Sequence, residues 1–365
     1  ESTDLEHGRI EALFTIDEET GMTGANALEP GVLKGDILIN TDSETEGELY
    51  VGCAGGIDTC GYFTPKFEEV PAGSKAFQLI VKGLKGGHSG MDIILGRANA
   101  NKVMNELLAY ATEKLDARVA DIQGGSLRNA IPRESFVTVT VPEANAEALA
   151  AYVAEFETRM KEKFAAVEPE MSITVAPAEM PAQVMDKATI ANLIEAVAKY
   201  PNGVVAMSKD FEGTVETSSN LAIVKLIDGQ IMTASLQRSL VDASKDELAA
   251  EMRALLEKCG ARAESTGSYP GWKPNINSPI LHTMKKVYEE NVQGSSWRKR
   301  QNPDAERSDR RFRMRTSGED RRSGRRGRQP ASSSGSGRKR GPSHLTPVPE
   351  GCGKVERSDV LCLQY

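Results

Sequence analysis

Long hydrophobic runs are missing from this sequence. No stretch approaches the ~18 apolar residues needed to span a bilayer, and no basic-then-apolar leader stands after Glu1, so no membrane segment is expected. Cysteine is scarce: the 365 residues hold 5, an odd number with no C-x-x-C pair, and Cys53 and Cys60 stand seven apart. That pattern argues against a disulfide framework or a structural zinc site and suits reduced thiols in a cytoplasmic protein. Several catalytic signatures are missing as well. There is no G-x-G-x-x-G, no P-loop lysine motif, no G-x-S-x-G elbow and no H-E-x-x-H, and the whole chain carries only 4 histidines.

What is present is a soluble-protein composition, 39% hydrophobic and 27% charged, long enough for two domains. The net charge of −7 conceals a split. From Asn291 onward there are 18 Lys and Arg against 8 Asp and Glu; the preceding 290 residues hold 27 basic and 44 acidic groups, a net of −17. The two segments therefore need separate readings.

Ile10–Ile16 and Asp36–Asn40 are short apolar runs, each followed at once by acids: "DEE" at 17–19 and "TDSETE" at 41–46. Buried parallel strands read as such runs, and ligand sites of open α/β sheets lie beyond the carboxyl ends of strands. Two carboxylate clusters in that position can meet in space; the competing reading is a pair of polar loops. Around Pro71 the texture changes. "KAFQLIVKGL" alternates like a half-buried strand, and from about Arg97 a helical period places Ala98, Val103, Leu107, Leu108 and Ala111 on one face. Phe136–Val141 alternates strictly and ends at Pro142, followed by a helix over "EANAEALAAYVAEFETRMKEKFAAV" and a strand "SITVAP". A helix at Ala188–Lys199, strands near Leu221–Ile227 and Ile231–Leu236, a helix at Lys245–Cys259 and the strand-like "ARAESTGSY" complete the module. Residues 75–271 thus read as an α+β unit, helices on one face of an antiparallel sheet. "YPGWKPNINSP", residues 269–279, reads as a re-entry linker and Ile280–Glu290 as an amphipathic helix. Beyond Asn291 the chain is Arg/Ser/Gly-rich without period and is expected to be disordered.

Three polar positions stand out. "KGGHSG", Lys85–Gly90, holds His88 in a glycine-flanked turn after a strand, where an imidazole can donate to an oxyanion, though a loop histidine is commonly a surface residue. "SLRNAIPRE" places Arg128 and Asn129 before a proline-fixed turn, which ordinary loop chemistry also explains. Arg238 sits in the largely apolar "SLQRSLVDAS", where a guanidinium needs an anion: a structural acid or a bound carboxylate.

In this order, "TIDEETGMTGA", "ILINTDSETEGELYVGCAGGID", "GLKGGHSG", "LRNAIPRE", "QRSLVDASKD" and "YPGWKPNINSP" resemble the bacterial aminoacyl-histidine dipeptidases over about residues 3–290. These are carnosinase-related members of the dinuclear zinc peptidase family that also contains aminoacylases and carboxypeptidase G. The resemblance implies an α/β zinc-peptidase catalytic domain, incomplete here, with an inserted α+β lid. The catalytic domain would comprise 1–74 and 272–290, the lid 75–271, and the basic tail 291–365. It implies hydrolysis of Xaa-His dipeptides by a water activated between two zinc ions, with Glu18 as general base and Glu19 and Asp42 as zinc ligands. His88 would stabilise the oxyanion as a second catalytic residue, and Asn129 and Arg238 would bind the substrate. A homodimer through the lid is implied too, with a dipeptide substrate and neither membrane nor nucleic acid as partner.

The likeness has gaps. The family's first ligand block, a His-x-Asp element and a bridging Asp, has no counterpart after Glu1, and the tail bears no likeness to the family's last ligand region; His344 in "GPSHLTP" echoes it by coincidence. With only Glu18, Glu19 and Asp42 of the metal apparatus, this chain is expected to bind zinc weakly and to be inactive. Two other readings stay open: a non-catalytic peptidase-like body with a basic nucleic-acid-binding tail, and an amidohydrolase of the same family acting on N-acyl amino acids. The tail is expected to be an out-of-frame translation. Reading the coding DNA beyond codon 290 in the other two frames checks this: a restored helix and terminal histidine motif in one frame is the expected result, and neither frame yielding them leaves the basic arm standing.

Overall fold

The computed structural model describes residues 7–16, 23–40, 48–292, 313–317 and 360–362. It divides into two units: one of Tyr50–Asn275 with Met314–Asp320, the other of Glu1–Leu49, Ile276–Arg313 and Arg321–Tyr365. In the second unit, a short helix at Thr23–Asn26 precedes a strand Leu38–Asn40, which pairs in parallel with Val360–Cys362, and Pro279–Val292 forms a helix. The expected strand at Ile10–Ile16 is not formed: the segment has no regular structure, and Ile10, Phe14 and Ile16 are exposed. An apolar run becomes a strand only where another strand satisfies its backbone groups, and no pairing involves this segment among the described residues. Of the tail, 313–317 and 360–362 are strands; its remainder beyond Val292 lies outside the described residues.

The first unit is built on one antiparallel sheet of nine strands among the described residues. These are β1 (Gly55–Phe63), β2 (Ser74–Lys82), β3 (Arg118–Gly124), β4 (Ser135–Pro142), β5 (Ser172–Pro177), β6 (Gly203–Met207), β7 (Val215–Ile227), β8 (Gln230–Ser239) and β9 (Arg262–Tyr269). Their order is β5-β2-β4-β3-β7-β8-β1-β9, with β6 also paired to β7. Because β1 lies between β8 and β9, the compact unit opens at Tyr50, ahead of the boundary at 75 read from the sequence. Four helices, α1 (Ala100–Lys114), α2 (Ala146–Lys163), α3 (Lys187–Lys199) and α4 (Asp242–Lys258), supply the core together with the sheet.

Local chemistry accounts for these elements. In β4, Val137, Val139 and Val141 are fully buried, the period-2 pattern of a strand with one face in the core. α1 buries Val103, Met104, Leu107, Leu108 and Ala111, and it starts at Ala100, later than the hydrophobic period suggests. The Asn99 side chain caps it, accepting from Asn101 N at 3.0 Å and Lys102 N at 3.2 Å. Asp186 caps α3 in the same way, accepting from Thr189 N at 2.9 Å. No helix among the described residues is long and apolar enough to cross a membrane.

The carboxyl end of α3 is closed from outside the helix. Lys102, on α1, donates from Nζ to the carbonyls of Val197 (2.6 Å), Ala198 (3.0 Å) and Tyr200 (2.9 Å), so all three ammonium protons meet orphan acceptors. Burial pulls the Lys102 pKa down to about 8, which still leaves the ammonium predominant at neutral pH. Lys102→Met keeps most of the apolar stem and removes the donors. It is expected to cost about 1–3 kcal/mol, read as a lowered denaturant midpoint with an unchanged slope.

Candidate active site

β8 places its side chains on alternate faces of the sheet. Ile231, Thr233, Ser235, Gln237 and Ser239 are all buried, and Thr233 lies beside α4, because a Cβ at Gly61 would meet both Thr233 Oγ1 (2.8 Å) and Leu256 Cδ2 (2.7 Å). Polar members of this face satisfy one another: Gln237 Oε1 accepts from Thr59 Oγ1 (2.7 Å), Gln237 Nε2 donates to Ser235 Oγ (2.6 Å), and Tyr200 OH lies 2.8 Å from Ser235 Oγ. Arg238 falls on the opposite face, directly across from Gly56 of β1.

That second face carries charged side chains, Arg238 and Asp58 among them. Arg238 donates from Nη1 to the Tyr269 hydroxyl at 3.1 Å. The hydroxyl lies over Gly56, where a Cβ would come within 2.4 Å of it, so Gly56 is needed for this approach. Asp58, on the same face of β1, is ion-paired with Arg128. Burial raises the Asp58 carboxyl above its ordinary range, opposed by the guanidiniums of Arg128 and Arg238.

His88 is brought to this cluster by a two-residue pairing, Gly87 with Ile131 and His88 with Ala130. Next to it, Ser89 N donates to the Asn129 carbonyl at 2.8 Å. Gly90 lies beside both the imidazole and the guanidinium: a Cβ on it would meet His88 Cε1 at 3.1 Å and Arg238 Nε at 3.4 Å. His88 Nδ1 accepts from the backbone N–H groups of Gly90 and Met91, each at 3.2 Å. Two donors at Nδ1 fix the neutral tautomer with its proton on Nε2, leaving an N–H free to donate. Three buried atoms in this region have no hydrogen-bond partner among the described residues: Arg238 Nε, Ser89 Oγ and Asn220 Oδ1. Such atoms cost stability unless a ligand or water completes them.

The structure therefore brings His88 and Arg238 together, with the Asn129 backbone beside them and the Asn129 side chain exposed. Glu18, Glu19 and Asp42 lie outside the described residues. Tyr269, Asp58 and Asn220 belong to the cluster and escaped the sequence reading. Only the small residue at 56, two positions before Asp58, hinted at a side chain crossing the sheet there. Among the described residues no group of three or more His, Cys, Asp or Glu is placed to hold a metal ion.

Burial, and then the Arg238 charge, hold the His88 pKa below its ordinary 6.5, with Asp92 opposing. A proton is thus taken up less readily by the folded chain than by the unfolded one. The stability from burying neutral His88 is fully present above the unfolded value of 6.5 and is lost as pH falls through the lower folded value. The expected result is an NMR ring midpoint below 6.5 that moves up in Arg238→Ala, and an acid loss of stability that is smaller in His88→Gln than in the parent chain.

Comparison with known proteins gives this cluster its setting. Residues 79–168 match the peptidase dimerisation domain family. The chain is 42% identical over 286 residues to the cytosol non-specific dipeptidase of Escherichia coli (strain K12), 78% of this chain and 58% of that protein. It is 44% identical to the aminoacylhistidine dipeptidase of Vibrio alginolyticus, whose crystal structure it matches with a TM-score of 0.72 over 76% of this chain and 56% of that one. The chain spans less than two thirds of the length of either relative. The motif resemblance is thereby borne out: over more than three quarters of its length this chain is similar to bacterial dipeptidases, and within that span residues 79–168 match the peptidase dimerisation domain family.

Proposed function

We propose that this chain serves a dipeptidase that releases C-terminal histidine from Xaa-His dipeptides, with the Tyr50–Asn275 unit recognising the substrate's terminal carboxylate and scissile carbonyl. The observation that carries the reading is Arg238: a guanidinium whose Nε is buried and without a partner among the described residues, set beside a histidine kept neutral. A carboxylate accepts from the free edge of a guanidinium in a planar, charge-assisted pair. The His88 Nε2–H would donate to the carbonyl oxygen as negative charge grows on it, an electrostatic role that needs no proton transfer. Asn129 would orient the peptide between them. Water adds to the carbonyl carbon, the C–N bond breaks, and the departing nitrogen gains a proton, giving an amino acid (or β-alanine) and histidine.

Zinc is the proposed metal, two ions in the complete family fold, with Glu19 and Asp42 among the ligands and Glu18 as base. A cytoplasmic location, in keeping with the name of the Escherichia coli relative, and a homodimer formed through the dimerisation domain belong to the same proposal. The histidine preference follows the Vibrio alginolyticus relative, whereas the Escherichia coli relative is named non-specific.

The test compares β-alanyl-histidine with its C-terminal amide, each titrated into the full chain with zinc present, by calorimetry and by the His88 ring signals. The dipeptide is expected to bind roughly 10-fold or more tightly than the amide, and Arg238→Ala is expected to remove that difference. Equal binding of the two ligands, or silence of His88 towards both, would sink the carboxylate assignment. Binding of an N-acetyl amino acid as tightly as the dipeptide would favour the amidohydrolase reading, and salt-sensitive DNA binding with no dipeptide binding the nucleic-acid reading.

A further inference from the structure

The stretch that carries His88 leaves the core at Leu84 and re-enters it at Ala98, both buried. Its interior is held by short-range contacts, His88 N donating to Asp92 Oδ2 at 2.8 Å and Arg97 pairing with Asp92 at 3.5 Å and donating to the Gly86 carbonyl, and by the pairing of Gly87 and His88 with Ile131 and Ala130. The short-range contacts shape the loop but do not fix it to the sheet. Its two ends are tied by a residue distant in sequence. Glu168, just beyond α2, is 1% exposed. Its Oε2 accepts from Lys85 N at 2.7 Å and its Oε1 from Ala98 N at 3.0 Å. Each carboxylate oxygen thus serves one end of the loop. Glu168 is itself anchored, its N–H donating to the Phe164 carbonyl at 2.8 Å and its carbonyl accepting from Met171 N at 3.2 Å.

We propose that Glu168 is a positioning residue of His88: its buried carboxylate staples both ends of the 85–98 loop and so, together with the 87–88 pairing to 130–131, holds the imidazole in the Arg238 cluster. A carboxylate suits this task because it is an acceptor at both oxygens. A carboxamide of the same shape turns a donor towards one of the two N–H groups and leaves that end of the loop unsatisfied. The consequence for turnover rests on the function proposed above; the placement of His88 does not.

The experiment uses the full 365-residue chain, Glu168→Gln, and Leu149→Ala as a control that opens a cavity in the first turn of α2, the end of that helix opposite Glu168. Amide hydrogen exchange of Lys85 and Ala98 is followed alongside that of Val137 and Val139 in the core. The expected result is exchange at Lys85 or Ala98 roughly 10-fold or more faster in Glu168→Gln, beyond any change at Val137 and Val139. The His88 ring midpoint should rise towards 6.5 as its burial and its proximity to Arg238 are lost, with Asp92 alone still favouring the charged ring. Leu149→Ala should speed all these amides alike and leave the midpoint where it was. Unchanged loop exchange and midpoint in Glu168→Gln overturns the proposal, as does a change matched in full by Leu149→Ala. If Glu168→Gln does not fold, the parent chain decides: Lys85 and Ala98 amides as protected as the core support the staple, and amides exchanging like exposed ones refute it. In a catalytically competent form, Glu168→Gln should lower kcat more than it raises KM. Absence of dipeptide turnover in that competent form without the substitution would count against the proposed function while leaving the staple to the exchange data.

Discussion

The register of one hairpin governs where the chemistry of this molecule can occur. β7 and β8 are joined by Asp228 and Gly229, both with positive φ (48° and 77°), and Ile227 pairs directly with Gln230. A two-residue turn of that kind matches the right-handed twist of the strands, and Gly229 takes its conformation without the cost a side chain would add. From this turn the register runs up, through a one-residue shift in β7 between Leu221 and Ile223, to Arg238 opposite Ser218 on β7 and Gly56 on β1. A slip of one residue would exchange the faces, driving the guanidinium into the helix-packed core and turning Gln237 and Ser235 away from their buried partners. The polar network around Tyr200, Thr59 and Gln237 therefore guards the site from the far side of the sheet. Its hydrogen bonds are satisfied in one register only.

That division of faces explains what could be read from the sequence and what could not. Elements whose patterns are set by burial were legible: the alternation over Phe136–Val141, the helical stripe from Val103 to Ala111, and α3 and α4 to within a few residues. β6 was missed because Gly203–Met207 lies next to the longer β7 and buries none of its residues fully. Ile10–Ile16 was misread because its apolar content says nothing about whether a partner strand exists. Within the candidate site, His88 and Arg238 were marked by a polar residue in a glycine-rich and an apolar context, whereas Asn129, marked by the proline-fixed turn after it, brings only its backbone carbonyl to the cluster. Tyr269, Asp58, Asn220 and Glu168 were not, since each acts through a partner between 31 and 90 positions away that no local pattern announces.

The electrostatics of the cluster follow from how its cations are partnered. Asp58 lies close enough to Arg238 to feel its charge, and a direct pair between them would have used the guanidinium on a structural acid. Instead the Asp58 carboxylate is engaged by Arg128, an exposed residue from the 126–131 loop. Arg238 is oriented by the Tyr269 hydroxyl, which fixes its direction without cancelling its charge. Tyr269 is held in turn by the network beneath it. The buried Lys245 donates to its carbonyl at 3.0 Å, and Asp242 accepts from Gly271 N at 2.7 Å. Because Arg238 keeps its charge, it also disfavours protonation of the imidazole beside it. A histidine kept neutral first by burial and then by Arg238, with Nδ1 accepting and its proton on Nε2, and an arginine whose Nε has no partner among the described residues are thus one arrangement.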